Sequence, residues 1–440
     1  MAKEAPIPLP PIQFVAGGAT DEIREANLEA VRPSPGFVDT CFLLADAIVR
    51  RVEQVLLDYT REAVSVRYRI DGVWHELPPR DRVAGDLLLA ALKKLANLEP
   101  MERRARQQGS FQARFQLKKV PVQLTTQGVR TGERALLALE VAGSKVEKFE
   151  QTEIRPKMLE KLGELLRSET GLFLTSTLPG DGKTTLWRCV LHACDRFTRD
   201  YYSIEEKSRR EPEVINVEPA VYSVEAGETP MSRLPQVLLR QPDVLCFPDL
   251  PDGATVDTCS DLSLDQQKLV LGHVPARSAV EALVRVMALK PDPKRFAKSV
   301  MGVIHSRVLR KLCTNCRQPF EPPADLLLKL GLRPGRIRTF YDEWRPPPPE
   351  QLVDAKGNPI EVPICGHCHG VGYLGRTAVY ELLVVTDEIR RALLDKPTVQ
   401  SVTAAALSGP TPHIGLKDEG LVLIAKGTTS IQELQRVLAR

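Results

Sequence analysis

The sequence lacks any run of 18 consecutive apolar residues, and its first residues, MAKEAPIPLPPIQF, contain no apolar stretch of signal-peptide length. We therefore expect neither a membrane-spanning helix nor an exported protein. An excess of charge of one sign is also lacking, because 60 Lys and Arg residues nearly balance 56 Asp and Glu residues. A net charge this small gives no indication of nucleic acid or an acidic membrane surface as a partner.

Aromatic residues are few, at 5% of the chain, but contents of 43% hydrophobic and 26% charged residues are typical of a folded globular protein. Nine cysteines, an odd number with five in isolation, argue against a disulfide scaffold and favour a reducing compartment such as the cytosol. At 440 residues the chain is long enough for two or three domains with separate cores.

Composition and periodicity divide the chain into five predicted segments. The first is proline-rich and is expected to be flexible and extended. The second combines amphipathic helices with alternating strands, including a hairpin at Asp71-Gly72, and predicts an α+β domain. The third alternates strands and helices, which indicates parallel βαβ units, the fourth surrounds four cysteines, and the last is expected to be helical. In order, the predicted segments are 1–35, 36–150, 151–312, 313–376 and 377–440.

The stretch TSTLPGDGKTT, at residues 175–185, follows a predicted buried strand and opens a predicted helix, which is the context that a P-loop requires. In such a loop, backbone amides and the helix N-terminus hold phosphate, a Lys neutralises the β and γ oxygens, and a Ser or Thr holds Mg²⁺. The residues that we predict to bind ATP and Mg²⁺ in this way are Gly180, Asp181, Gly182, Lys183, Thr184 and Thr185.

This loop departs from the usual P-loop pattern at three positions. Thr177 stands where the first glycine belongs, so a β-branched residue is expected to make the turn out of the strand. Pro179 has no N–H to offer. Asp181 places a carboxylate near the phosphate, and a like charge about 4 Å away opposes binding by about 1 kcal/mol in water or about 4 at an effective dielectric of 20. Two interpretations remain open: a loop that binds phosphate, and a structural relic that binds it weakly or not at all.

Two C-x-x-C turns, Cys313-Thr-Asn-Cys316 and Cys365-Gly-His-Cys368, are separated by 48 residues. Each turn can present two thiolates, so together they predict a structural Zn²⁺ site with four sulfur ligands and no catalytic role. Two redox-active dithiols are the alternative. It is disfavoured because neither pair opens a helix after a strand, as in thioredoxin.

Taken in order, the α+β segment, the P-loop, the two cysteine pairs and the helical tail resemble the secretion ATPase family that drives type II secretion and type IV pilus assembly. The similarity covers residues 37–440 and is carried by VRYRIDGV, ERRARQQGSF, TGERALLALE, LRQPDVL, VLRKLCTNCRQPF and CGHCHGVGYLGRTAVYELLVV. The resemblance implies an α/β fold. It consists of a RecA-like P-loop NTPase domain, preceded by a smaller α+β domain and followed by a four-cysteine zinc segment and a helical C-terminal part.

The same resemblance implies catalytic roles for Glu205 and Asp249. Glu205 matches the acidic segment after the P-loop and would position or deprotonate the attacking water, whereas a solvated charge cluster is the alternative. Asp249 stands where the family has the glutamate of its Walker B Gly-Glu pair. It is one methylene shorter, and a displacement of about 1 Å can lower a rate about 100-fold. A Mg²⁺-side acid and a simple strand cap remain open for Asp249.

Two further family positions are substituted. Pro275 stands where the family has a histidine, and His273, two residues earlier, is interpreted as a satisfied structural histidine. Ser110 replaces an arginine of the N-terminal domain, and loss of an arginine finger can lower a rate by about 10³ or more. The nearby arginines that could substitute, or could be ordinary surface charge, are Arg103, Arg104, Arg106 and Arg114.

The resemblance thus implies an ATP-binding motor subunit of a type II secretion or type IV pilus assembly system. It would act as a homohexamer in the cytoplasm, at the inner face of the cytoplasmic membrane, with an inner-membrane platform and adaptor proteins as partners. The substitutions favour slow or partner-dependent hydrolysis, so enzymatic activity is the favoured expectation but stays open. The alternative is a catalytically impaired scaffold or regulatory subunit of the same apparatus. A DNA-translocating motor is disfavoured, because the sequence has no basic stripe or aromatic platform.

Overall fold

The structure is a computed structural model that describes residues 9–140, 146–333, 335, 338–347, 360, 362–408 and 413–439. Its contacts divide the chain into two compact units, Met1–Ser144 and Lys145–Arg440. Across these described ranges, no helix combines the length and the apolar character needed to cross a membrane.

The N-terminal unit is built on an antiparallel sheet. Its strands are β1 (Gln13–Val15), β2 (Gln54–Tyr59), β3 (Ala63–Ile70), β4 (Val73–Asp81), β5 (Gln107–Phe115), β6 (Lys118–Val129) and β7 (Gly132–Leu139). Its helices are α1 (Asp21–Val31), α2 (Phe37–Val49) and α3 (Arg82–Leu95). The spatial order is β1-β5-β6-β7-β2-β3-β4. Every second residue of β2 and β3 is buried, as expected for a sheet with one covered face.

The hairpin predicted at Asp71-Gly72 is confirmed. These two residues join β3 to β4, with Ile70 opposite Val73 in the register. Their φ angles are 48° and 80°, the positive values that a two-residue turn between twisted strands requires.

The expectation of a weakly ordered segment over residues 1–35 is wrong for residues 13–15 and 21–31, which form β1 and α1; the first eight residues lie outside the described ranges. The Thr20 hydroxyl accepts a hydrogen bond from the Ile23 amide and caps α1. The Phe14 ring in β1 is buried and meets the edges of the Phe37 and Phe111 rings. Proline content is therefore a poor guide here, because the same segment contains a capped helix and a buried aromatic side chain.

A buried ion pair lies inside the N-terminal unit. Lys93 of α3 is fully buried, and its Nζ lies 2.5 Å from Glu133 Oε1 in β7. The same Nζ donates a hydrogen bond of 2.6 Å to the Glu102 carbonyl oxygen. Each buried charge is thus neutralised by its partner, as burial of ionised groups requires.

The C-terminal unit contains the remaining elements. Its strands are β8 (Gly171–Thr177), β9 (Tyr201–Glu206), β10 (Val217–Tyr222), β11 (Val244–Phe247), β12 (Leu269–Pro275), β13 (Val300–Leu312), β14 (Gln318–Phe320), β15 (Phe340–Asp342) and β16 (Tyr373–Val384). Its helices are α4 (Pro156–Leu166), α5 (Lys183–Ala193), α6 (Pro230–Leu238), α7 (Gly253–Leu264), α8 (Ala279–Ala288), α9 (Pro293–Ser299), α10 (Ala324–Leu330), α11 (Asp387–Asp395), α12 (Val399–Ser408), α13 (Leu416–Ala425) and α14 (Ile431–Leu438).

The main sheet of this unit runs in the order β10-β9-β11-β12-β8-β13-β16. Neighbours from β10 to β13 pair in parallel, and β16 pairs antiparallel to β13. One apolar core joins the sheet to α7, α8, α11 and α12, and a second joins it to α4 and α5. Burial of both faces explains why β8 is continuously buried rather than alternating. The βαβ organisation expected from the sequence is therefore present.

The C-terminal region, expected to be helical from residue 377, instead begins inside a strand. β16 continues to Val384, and the next helix, α11, begins at Asp387. The run TAVYELLVV is almost wholly apolar, and periodicity alone does not separate a buried strand from a buried helix in such a run. Pairing with β13 decides the outcome.

Replacing Lys93 by Met should leave the Glu133 carboxylate buried without a partner and lower the free energy of unfolding by about 3–5 kcal/mol. The double variant Lys93→Met/Glu133→Gln should recover most of this loss, because it removes both charges. Lys94→Met, the next residue on α3, is the control and should change the free energy by less than about 0.5 kcal/mol. Urea denaturation measures the free energy of unfolding of all three variants. A Lys93→Met variant that is as stable as the wild type would contradict the prediction.

Candidate functional site

The phosphate-binding motif lies between β8 and α5, at the carboxyl end of a central strand of the parallel sheet. Gly180 and Gly182 have φ angles of 82° and 85°, which residues with a Cβ rarely adopt. α5 begins directly after Gly182 without a side-chain cap. Its first amides are therefore available to an anion, and the helix dipole favours negative charge at this end.

Thr177 does not make the turn that the sequence assigned to it. It remains in β8, buried and paired with Pro275 of β12, and its carbonyl oxygen accepts a hydrogen bond from the Ala276 amide. The chain leaves the sheet only at Leu178, whose carbonyl oxygen accepts from the Asp181 amide. A β-branched residue is suited to this extended position, so the missing glycine causes no strain here.

Lys183 lies between two carboxylates. Its Nζ is 3.0 Å from Asp249 Oδ1 and 3.2 Å from Glu211 Oε1. Asp249 lies two residues beyond β11, so the carboxyl ends of β8 and β11 bring this predicted pair together. Glu211 was not predicted; its only signal in the sequence was the run of charges after Glu205. Thr184 and Thr185 lie on the exposed side of the first turn of α5.

Glu205 lies near the end of β9 and is buried. Burial raises the pKa of its carboxyl group, against the opposing effects of Ser203 and Arg210. Arg210 Nε lies 3.6 Å from Glu205 Oε2, which makes an ion pair longer than a hydrogen bond. A buried carboxylate with a raised pKa can act as a general base. In this structure the Glu205 carboxylate is paired with Arg210 rather than with Lys183.

The predicted phosphate ligand Asp181 points to a buried arginine. Its Oδ2 lies 2.6 Å from Nε of Arg307 in β13, whose side chain is 2% exposed. Arg307 Nη2 donates a second hydrogen bond, of 2.7 Å, to the Val437 carbonyl oxygen in α14. No local pattern in the chain indicates this pair, since the two residues are 126 positions apart.

Two buried histidines flank β8. His273 Nδ1 lies 3.0 Å from Thr175 Oγ1, and His305 Nδ1 lies 3.1 Å from Ser176 Oγ. Burial lowers the pKa of His273 to about 3, with Lys183 and His305 adding to the effect, and burial lowers the pKa of His305 to about 4. Both imidazoles are thus neutral near pH 7. The hydrogen bond to Thr175 agrees with the interpretation of His273 as a structural histidine.

The four predicted metal ligands, Cys313, Cys316, Cys365 and Cys368, come together with their Sγ atoms within 4.8 Å of one another. The Sγ atoms of Cys313 and Cys365 are 3.9 Å apart, and those of Cys316 and Cys368 are 3.6 Å apart. Tetrahedral Zn²⁺ with bonds of about 2.3 Å would place its sulfurs about 3.8 Å apart. A hydrogen bond from the Cys368 amide lowers the pKa of the Cys365 thiol to about 6, whereas burial raises the pKa of the Cys313 and Cys316 thiols, so the sulfur spacing rather than the thiol pKa supports the site. The cluster therefore fits a zinc ion.

The arginines considered as substitutes for the one lost at Ser110 lie in the N-terminal unit. Arg103 Nη1 is 3.3 Å from Asp86 Oδ2, and Arg114 Nε donates to Gln112 Oε1. A cavity of about 630 Å³ in this unit is lined by Arg103 and Arg104, together with Arg82 and Arg130. Two acidic residues, Asp86 and Glu133, also line this cavity, and Asp86 pairs with Arg103.

The buried histidines should make stability depend on pH. An unfolded histidine has a pKa near 6.5 and binds a proton that the folded imidazoles do not bind, so the free energy of unfolding should fall as pH falls below 6.5. The fall is up to about 1.4 kcal/mol per pH unit for each histidine until the folded pKa is reached. His273→Asn, which keeps a group able to bond Thr175, should remove one such contribution between pH 6.5 and 5. Urea denaturation across this range measures it; an unchanged pH dependence would contradict the prediction.

Comparison with known proteins agrees with this geometry. The family described as Type II/IV secretion system protein matches residues 37–436. Type II secretion system protein E of Pseudomonas aeruginosa is 27% identical over 399 residues, covering 90% of this chain and 74% of that protein. Type IV pilus assembly ATPase PilB of Thermus thermophilus is 25% identical over 398 residues, which cover 90% of this chain and 42% of PilB.

The X-ray structure of the Legionella pneumophila ATPase DotB gives a TM-score of 0.54 at 12% identity, covering 93% of this chain and 96% of that one. At this identity the likeness shows the fold alone, and it confirms the α/β fold expected from the sequence. The sequence matches confirm the resemblance drawn from the motifs, because they span nearly the whole chain. The protein therefore belongs to the type II/IV secretion system protein family, to which the ATPases of secretion and pilus systems are related.

Proposed function

We propose that the protein is an ATP-binding motor subunit of a type II secretion or type IV pilus assembly system, with slow or partner-dependent hydrolysis. The observation that carries this proposal is the uncapped start of α5 after two glycines with positive φ, beside Lys183. These are the parts that hold a triphosphate in a P-loop. A loop that does not bind phosphate would not require a lysine at the start of α5.

In this proposal the amides from Gly180 to Thr184 bind the phosphates, and the Lys183 ammonium neutralises them. The Thr184 hydroxyl is available to Mg²⁺ on the exposed side of α5. Asp249 Oδ1 lies 3.0 Å from Lys183 Nζ in this structure. When phosphate takes the place of Asp249 beside Lys183, the Asp249 carboxylate would be available to Mg²⁺. Bound MgATP supplies the phosphoryl group that is transferred to water.

Glu205 is the residue that we propose to orient or deprotonate the attacking water. Burial raises the pKa of the Glu205 carboxyl group and so makes the carboxylate a stronger base, but Arg210 must release the carboxylate before it can act. Lys183 must likewise exchange Asp249 and Glu211 for phosphate. These exchanges, together with the short Asp249 side chain and Ser110, support slow hydrolysis that a partner could accelerate.

The alternative proposal is a catalytically impaired scaffold or regulatory subunit of the same apparatus. The engaged state of both Glu205 and Lys183 favours it, because neither group is free to act in this conformation. In either case we propose a RecA-like domain, a homohexamer, and a position at the inner face of the cytoplasmic membrane with platform and adaptor proteins as partners. The type II and type IV relatives support these assignments.

Nucleotide binding and hydrolysis separate the two proposals. The wild type should bind a fluorescent, non-hydrolysable ATP analogue with micromolar Kd in the presence of Mg²⁺, and Lys183→Ala should weaken binding at least about tenfold, since the loss of a charged hydrogen-bond donor costs about 1.5–3 kcal/mol. Phosphate release by the wild type above that of Lys183→Ala supports the motor.

Phosphate release equal to that of Lys183→Ala, with binding intact, would support the scaffold. Absence of binding at millimolar nucleotide would overturn ATP binding altogether. Lys157→Ala, on the exposed surface of α4, is the matched control and should leave both measurements unchanged.

We also propose that the cluster of four cysteines holds a structural Zn²⁺. Purified protein should contain about one zinc ion per chain by elemental analysis, because four thiolates complete a tetrahedral shell. Cys368→Ser should lose the metal and lower the melting temperature, whereas Cys259→Ala, at a buried cysteine outside the cluster, should retain it. The zinc site would be ruled out if the purified wild type contained no metal and Cys368→Ser had the same melting temperature as the wild type.

A further inference from the structure

The Asp181 carboxylate poses an electrostatic problem for any nucleotide in the loop. It lies between the two loop glycines and directly before Gly182-Lys183, where a P-loop approaches phosphate most closely. A free carboxylate here would repel the phosphate and compete for the Lys183 ammonium. The structure resolves the problem, because Asp181 Oδ2 is bound at 2.6 Å to Arg307 Nε and the Asp181 side chain is only 16% exposed.

Arg307 is held in place from several directions. Its backbone lies in β13, where Arg307 is opposite Val379 of β16, and His305 of the same strand is opposite Ser176 of β8. Its Nη2 donates to the Val437 carbonyl oxygen, and Arg310 in the same strand binds Glu433 of α14 at 2.8 Å. Strand pairing and the Val437 contact hold the guanidinium beside the loop, so we expect it to set the direction of the Asp181 carboxylate.

The charges of this pair also balance. Arg307 is buried, and a buried cation is stable only beside a partner. Asp181 supplies the negative charge, so the pair presents a net charge close to zero to the loop. Neither Arg307 nor α14 was singled out by the sequence, and the proposed ATP mechanism assigns no role to either.

We propose that Arg307 is a positioning residue for the nucleotide site: it holds the Asp181 carboxylate aside and neutralises it, so that the loop amides and Lys183 can receive a triphosphate. This inference rests on the proposed binding of ATP. Arg307 is in turn held by helix α14, because its Nη2 donates a hydrogen bond to the Val437 carbonyl oxygen.

The test compares the affinities of single and double variants for a fluorescent, non-hydrolysable ATP analogue in the presence of Mg²⁺. Arg307→Met should weaken binding at least about fivefold, because it frees a carboxylate of like charge beside the phosphate. The charge-neutral double variant Asp181→Asn/Arg307→Met should return to within about twofold of the wild type. Arg310→Met is the matched control: it also removes an arginine of β13 that binds α14, and it should leave affinity unchanged.

Three outcomes would overturn the inference while the wild type still binds the analogue. Arg307→Met could bind like the wild type; the double variant could stay as weak as Arg307→Met, which would mean that Arg307 acts on the nucleotide directly. Arg310→Met could weaken binding equally, which would assign the effect to the loss of α14 anchoring.

Failure of the wild type itself to bind would withdraw the proposed function and this inference together. Thermal melting verifies that each variant is folded. If Arg307→Met does not fold, the double variant decides: affinity within about twofold of the wild type supports the inference, and affinity at least about fivefold weaker overturns it.

Discussion

The parallel pairing of β8 with β12 on one side and β13 on the other is the constraint on which the candidate site depends. In this register Thr177 ends beside Pro275, and the loop can leave the sheet only at Leu178. The carboxyl ends of β8 and β11 then meet at one edge, which brings Lys183 within 3.0 Å of Asp249. Sheet hydrogen bonding, rather than any local feature of the loop, sets these distances.

Charged groups around the loop lie beside groups of opposite charge. Lys183 is shared by Asp249 and Glu211, Arg307 is matched by Asp181, and burial keeps the flanking histidines neutral. Ionised groups in a buried site require such partners, because unpaired charges are strongly disfavoured there. Two departures from the family pattern are accommodated locally: Asp181 has a buried arginine as its partner, and Thr177 occupies an extended position that suits a β-branched residue. In the proposed function, Lys183 and Glu205 would therefore exchange partners before chemistry could proceed.

Much of the local structure could be predicted because it depends on short-range patterns. The Asp71-Gly72 hairpin follows from its need for positive φ, and the strand, glycine loop and helix of the P-loop follow from periodicity. The failures have physical causes as well. Proline content over residues 1–35 outweighed the cap at Thr20, and the apolar run that became β16 has no periodicity to distinguish strand from helix. Glu211 and Arg307 were missed because nothing in their immediate sequence signals a partner far along the chain.

The order of the motifs, the position of the glycine loop and the grouping of the four cysteines could be read from the residues alone, because backbone conformation and ligand chemistry act over a few residues. Which charges are paired depends on the folded structure. It placed Asp181 against Arg307, 126 residues away, and Glu205 against Arg210 rather than Lys183. The Asp181–Arg307 contact joins segments that are distant in sequence, and the Glu205–Arg210 contact depends on the burial of Glu205 in the sheet, because burial determines which charged groups must find a partner.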